Sequence, residues 1–137
     1  MRLITSVLAL TCAIPVVGSG PIPVVELTPA LAKELGFEIS IEPEGEFTMV
    51  NLVGPIELNN GCSPSSTGNY VLGPEGKEVA GYRTWLVEVA AERPKLVAYI
   101  ANDSPNTLGV YIDYFCPEGR TGESRRYDIR SIRKWGP

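Results

Sequence analysis

The chain predicts an all-β fold: a single β-sandwich with one short helix near its start. Three observations carry that expectation. Apolar and polar residues alternate with a period of two from Phe37 to Glu42, the pattern of a strand that buries one face, and Lys95 to Ala101 and Leu108 to Cys116 divide into two faces with the same period. Turn-forming groups recur every ten residues or so, at Glu44-Gly45, Asn59-Asn60-Gly61, Gly73 to Lys77 and Asn102 to Asn106. Gly 14 and Pro 12 accompany 44% apolar residues, which describes a folded domain with many tight turns rather than a disordered chain.

The elements follow in chain order. Met1 to Ser19 reads as an export signal: Arg2 supplies the positive start, Leu3 to Val17 the apolar region, and Val17 and Ser19 suit a peptidase cut before Gly20. A cut after Gly18 is nearly as good. The mature domain is then residues 20–137, long enough for one domain with its own core. Pro21 to Val25 is an extended lead-in fixed by two prolines. Thr28 caps a two-turn helix that has Pro29 in its first position, Leu31 and Leu35 on one face, and Gly36 as its left-handed stop.

From Phe37 the period changes to two, giving a strand, a turn at Glu44-Gly45 and a partner strand from Glu46 to Val53. Ile56 to Leu58 reads as a short continuation, and Ser63 to Asn69 as a polar loop. Tyr70 to Leu72 and Glu78 to Val89 flank the turn Gly73 to Lys77. Lys95 to Ala101 and Leu108 to Cys116 are strands, Pro117 to Ser124 is a second polar loop, and Arg125 to Trp135 is the last strand. Seven or eight short strands of this kind suggest a sandwich. The Tyr114-Phe115-Cys116 triplet resembles the Tyr-x-Cys of immunoglobulin domains; the likeness is one of architecture and implies no function.

The export signal governs how the cysteines read. If it is removed, Cys12 leaves with it, and Cys62 and Cys116 form the even pair expected to be a disulfide in an oxidising compartment. A rival reading makes Cys12 a lipid-attachment site, but the apolar stretch after it is a poor continuation for a lipidated chain. Secreted or periplasmic location follows, with no membrane span after signal removal.

Composition excludes more than it selects. Histidine is absent, so Ser-His-Asp and Cys-His nucleophile systems and His-containing zinc sites are ruled out. No cofactor or metal is expected; Asn102, Asp103, Ser104 and Asn106 are oxygen-rich, but turn chemistry explains them. The net charge of −4 argues against nucleic acid as a partner.

Three candidate surfaces remain. Tyr111, Asp113 and Phe115 share the face of their strand opposite the apolar set Leu108, Val110, Ile112, Tyr114 and Cys116, and two aromatics beside a carboxylate suit a glycan or peptide. Arg126, Arg130 and Lys134 recur every four residues, in phase for strand or helix, and could attract an anionic group. The loops 59–69 and 117–124 each begin beside a cysteine, and Arg120 would stand at the tip of the second. The expected function is a non-catalytic exported module with a binding, structural or interaction role at or outside the cell envelope, its partner an extracellular or envelope protein or a glycan. The alternative is an inhibitor or recognition protein acting through the bridged loops. The third reading is a glycan-acting enzyme that works with paired carboxylates.

Overall fold

The computed structural model describes residues 22–58, 61–86, 92–117 and 122–135. The export signal, Cys12 and Arg120 lie outside the described residues, and of Lys134 only the backbone is described. The elements run β1 (Val24–Glu26), α1 (Pro29–Leu35), β2 (Glu38–Glu44), β3 (Phe47–Val53), β4 (Ser63–Leu72), β5 (Glu78–Trp85), β6 (Lys95–Ala101), β7 (Thr107–Cys116) and β8 (Glu123–Ile129), closed by a 3₁₀ turn at Ile132–Lys134. They form two sheets, a five-stranded one in the order β1-β8-β7-β4-β5 and a three-stranded one in the order β2-β3-β6. Every neighbouring pair is antiparallel except β1 and β8, which run parallel.

The fold is the all-β sandwich that the alternating pattern predicts. Val50 and Leu52 of β3 and Leu96 and Ala98 of β6 point inward against Leu108, Val110, Ile112, Tyr114 and Cys116 of β7 and Tyr127 and Ile129 of β8. Each strand thereby removes one row of side chains from water, and the two inner rows interdigitate. Helix α1 closes one side of this core with Ala32, Leu31 and Leu35. It starts and stops as expected: the Thr28 hydroxyl accepts a hydrogen bond from the Leu31 amide, and Gly36 adopts φ 87° at the stop. The helix is short, so its stability comes from that packing.

Three expectations need correction. Ser63 to Asn69 is not a loop but most of β4, which pairs with β5 on one side and β7 on the other. Its Ser, Thr, Gly and Asn content imitates a loop, yet a strand flanked on both sides has its backbone satisfied by its neighbours and tolerates small side chains. The last strand begins earlier than expected and ends at Ile129, with a 3₁₀ turn in place of Ser131 to Trp135 as strand. Ile56 to Leu58 contributes one isolated bridge, Leu58 to Cys62, rather than a strand. Of the expected strand Glu78 to Val89, the part to Trp85 is β5, and residues 87–91 lie outside the described residues.

The disulfide forms between Cys62 and Cys116, 54 residues apart in sequence. Since Ser63 lies opposite Phe115, the bridge clasps the ends of two neighbouring strands, β4 and β7, within one sheet. In an immunoglobulin domain the bridge instead joins the two sheets. A bond of this kind is compatible with an oxidising extracellular or periplasmic location. Among the described residues no helix is long and apolar enough to cross a membrane.

Candidate functional site

The core takes one face of the five-stranded sheet and leaves the other facing away from the sandwich. On that outer face β7 places Tyr111, Asp113 and Phe115, as the alternation requires. The register sets Gly68 and Asp128 beside Tyr111, and Ser66 and Arg126 beside Asp113. Tyr70 lies beside Gly109, and Trp85 and Arg83 of β5 flank Ser66 and Gly68.

These residues form a packed polar layer rather than an open patch. Arg126 donates from Nε to Asp113 Oδ1 at 2.8 Å and from Nη2 to Oδ2 at 3.1 Å. Its guanidinium also lies 3.7 Å from the centre of the Tyr111 ring, a cation–π contact. The Ser66 hydroxyl donates to Asp113 Oδ2 at 2.9 Å, and Arg83 Nη2 stands 3.8 Å from the same oxygen. Tyr70 donates its hydroxyl to both Asp128 oxygens, at 2.9 and 2.8 Å.

Two glycines make the layer possible. The Tyr111 ring lies across Gly68 and the Tyr70 ring across Gly109, so that a Cβ added at either glycine would overlap the ring above it. The two rings stack on each other with centroids 6.3 Å apart, and Leu72 completes the cluster.

The electrostatics follow from burial. Burial alone would lower the affinity of Arg126 for its proton, but its hydrogen bonds to Asp113 and the carboxylate charge outweigh that and hold it above the ordinary value. Asp128 goes the other way. Burial pushes its carboxyl above the usual range despite the Tyr70 hydroxyl and the charges of Arg126 and Arg130. Burial, followed by the Asp128 charge, in turn raises Tyr70 and keeps it neutral.

The predicted site residues therefore separate. Tyr111 and Asp113 do share a face with Phe115, but they are only 5% and 2% exposed, covered by the Arg83 and Arg126 side chains rather than by another segment. Phe115 remains exposed, its ring lying over Gly122. Of the three basic residues, the Lys134 side chain is not described, while the charges of Arg126 and Arg130 both act on Asp128. Arg126 is held by Asp113, Arg130 follows at a bend, and the Lys134 backbone belongs to the 3₁₀ turn. Of the two loops beside the cysteines, the first is mostly β4, and the tip of the second lies outside the described residues.

What reaches solvent is β5. All eight of its residues are exposed, with Val79, Tyr82 and Trp85 at 63%, 76% and 66%. The Arg83 guanidinium sits 5.2 Å from the centre of the Trp85 ring, between that ring and Asp113. Trp85 and Phe115 stand about 12 Å apart, from two strand spacings and two residues of rise, so they do not make one continuous platform. Sequence reading missed this strand's role because exposure depends on what packs against it: β6 crosses β7 and β4, leaving β5 projecting past the smaller sheet.

A cleft of about 680 Å³ opens at the end of the sandwich near Cys62, with Glu57 and Glu92 in its lining. Both carboxylates are exposed, without the buried setting a general acid needs. Among the described residues no three potential metal-binding side chains converge. No family model, curated protein or solved structure matches this chain.

Proposed function

We propose that the protein is an exported, non-catalytic recognition module working at or outside the cell envelope, and that it binds through β5. The observation that carries this reading is the exposure of the whole strand, with Val79, Tyr82 and Trp85 standing off it. An isolated exposed apolar residue is ordinary, but three on one eight-residue edge strand, Trp85 on one face and Tyr82 on the other, leave that edge open to a partner.

The backbone supports the same reading. The Leu86 amide donates to the Ser65 carbonyl, so the amides of Ala80, Tyr82 and Thr84 turn towards β4, the alternation ending at the bulge before Ala80. Those of Gly81, Arg83 and Trp85 consequently turn outward. An extended segment can add to such an edge, with main-chain bonds supplying affinity and alternate side chains supplying specificity. Behind the edge, the Asp113 network holds Arg83 next to Trp85, so a cation and an aromatic ring are presented together with little freedom left to lose on binding.

Selection from a displayed library of random peptides on the exported, oxidised protein tests the proposal, with a glycan array run beside it. Selected peptides should bind wild-type protein and lose at least tenfold in affinity with Trp85→Ala or Tyr82→Ala. Peptides that bind both variants as well as wild type, or array ligands indifferent to them, would remove β5 as the binding surface.

A further inference from the structure

We infer that β5 pairs with β5 of a second copy of this chain, antiparallel about a two-fold axis at Tyr82, so that two five-stranded sheets join into one. The inference rests on β5 being the binding strand and names its partner. The other sheet edges are protected in ways that β5 is not. Strand β1 is three residues long and follows Pro23, and β2 carries Pro43 among Glu38, Glu42 and Glu44. Short edges, prolines and charges all discourage pairing. The β6 strand packs against β7 and β4 of the larger sheet. Strand β5 has eight residues and no proline, and the one charge past its first residue, Arg83, already lies beside Asp113.

The strand is also self-complementary. A two-fold axis perpendicular to a sheet sets residues of the same face opposite one another, and from the bulge onward the outward-turned backbone groups are those of Gly81, Arg83 and Trp85. Centring on Tyr82 satisfies both conditions. Arg83 then lies opposite Gly81, where the Glu78 carboxylate reaches over the glycine and can meet the guanidinium, and Trp85 reaches the bulged end of the partner strand near Val79, twice by symmetry. The two Tyr82 rings meet on the overhanging side, where the three-stranded sheet does not reach. Centring one pair further along, on Arg83, would set the two guanidiniums directly opposite each other, which is unfavourable.

The three large side chains offer on the order of 400 Å² per copy, about half of a standard interface partner's share, which places the dimer among weaker associations. With a net charge of −4 on each copy, long-range repulsion opposes it. Added salt should therefore strengthen it, by screening over a Debye length of ~10 Å at 0.1 M.

Sedimentation velocity on the oxidised, exported protein over roughly 1–200 µM, the range suited to a weak interface, tests the proposal. The expected result is a monomer–dimer equilibrium that strengthens with salt and shifts at least tenfold towards monomer with Tyr82→Lys. Gly81→Pro should act likewise, its lost amide being one that faces away from β4. Oxidation of Tyr82→Cys should give a covalent dimer, while Thr84→Cys, opposite Ala80 in this register, should give far less. A monomer throughout, a dimer indifferent to Tyr82→Lys and Gly81→Pro, or equal cross-linking of the two cysteine variants would overturn the pairing. A monomer that still selects peptides through Trp85 would overturn only the second copy and leave β5 as the binding strand.

Discussion

Asp113 and Asp128 occupy the same outer face, yet their surroundings give them opposite roles. Asp113 is one carboxylate between two guanidiniums. Replacing it with Asn removes the charge that both arginines need. Because Arg126 is partly exposed, the expected loss is about 2–3 kcal/mol, below the ~3–5 of a fully buried pair, read from the urea midpoint of the oxidised protein. Asp128 is held above its ordinary value, so the native state binds its proton more readily than the unfolded chain does. Stability attributable to it should fall as pH rises above the ordinary Asp range near ~4, and stay lower once the native carboxyl has ionised. Asp128→Asn should flatten that part of the pH profile while leaving an acceptor for Tyr70; an unchanged slope would show that Asp128 is not its source. At the two ring-bearing glycines, Gly68→Ala and Gly109→Ala should each cost roughly 1–3 kcal/mol by overpacking, checked in the same denaturation series.

At the scale of elements, strands that alternate were legible in the sequence and strands that do not were missed. Strand β7 sends the apolar set Leu108, Val110, Ile112, Tyr114 and Cys116 alternately into the core, and α1 carries both of its caps, so both could be placed from residues alone. Strand β4 could not. Its Ser66 and Gly68 are buried because Asp113 and Tyr111 of β7 reach over them, and Thr67 because it faces inward beside Ile112, and nothing local announces either. Part of the site was within reach: laying β8 antiparallel to β7 across a short turn sets Arg126 opposite Asp113 and Tyr127 opposite Ile112. The position of Arg83 was not, because it depends on β5 pairing with the unrecognised β4. The bridge between Cys62 and Cys116 fastens the ends of β4 and β7, and by the chain-entropy account closing a loop of that length is worth at most about 4 kcal/mol. Reduction should lower the urea midpoint accordingly. An unchanged midpoint would mean that the hydrogen bonds and core contacts of the β4–β7 ladder suffice without it.

For the molecule as a whole, the unequal sheets decide which strand is left open to solvent. Three strands cover the inner face of a five-stranded sheet incompletely, and β5 is left with both faces and one edge in solvent among the described residues. A fold that stabilises itself around Tyr114, Leu52 and Ile112 can thus keep a long strand available at little cost to its core. Residue-resolved amide hydrogen exchange tests this directly. In dilute protein the amides of Ala80, Tyr82 and Thr84 should be protected by β4, while those of Gly81, Arg83 and Trp85 exchange freely; at high protein concentration, or with a selected peptide bound, the second set should slow at least tenfold. Protection of Gly81, Arg83 and Trp85 already present in the dilute protein, or exchange there that no binding event slows, would contradict the account.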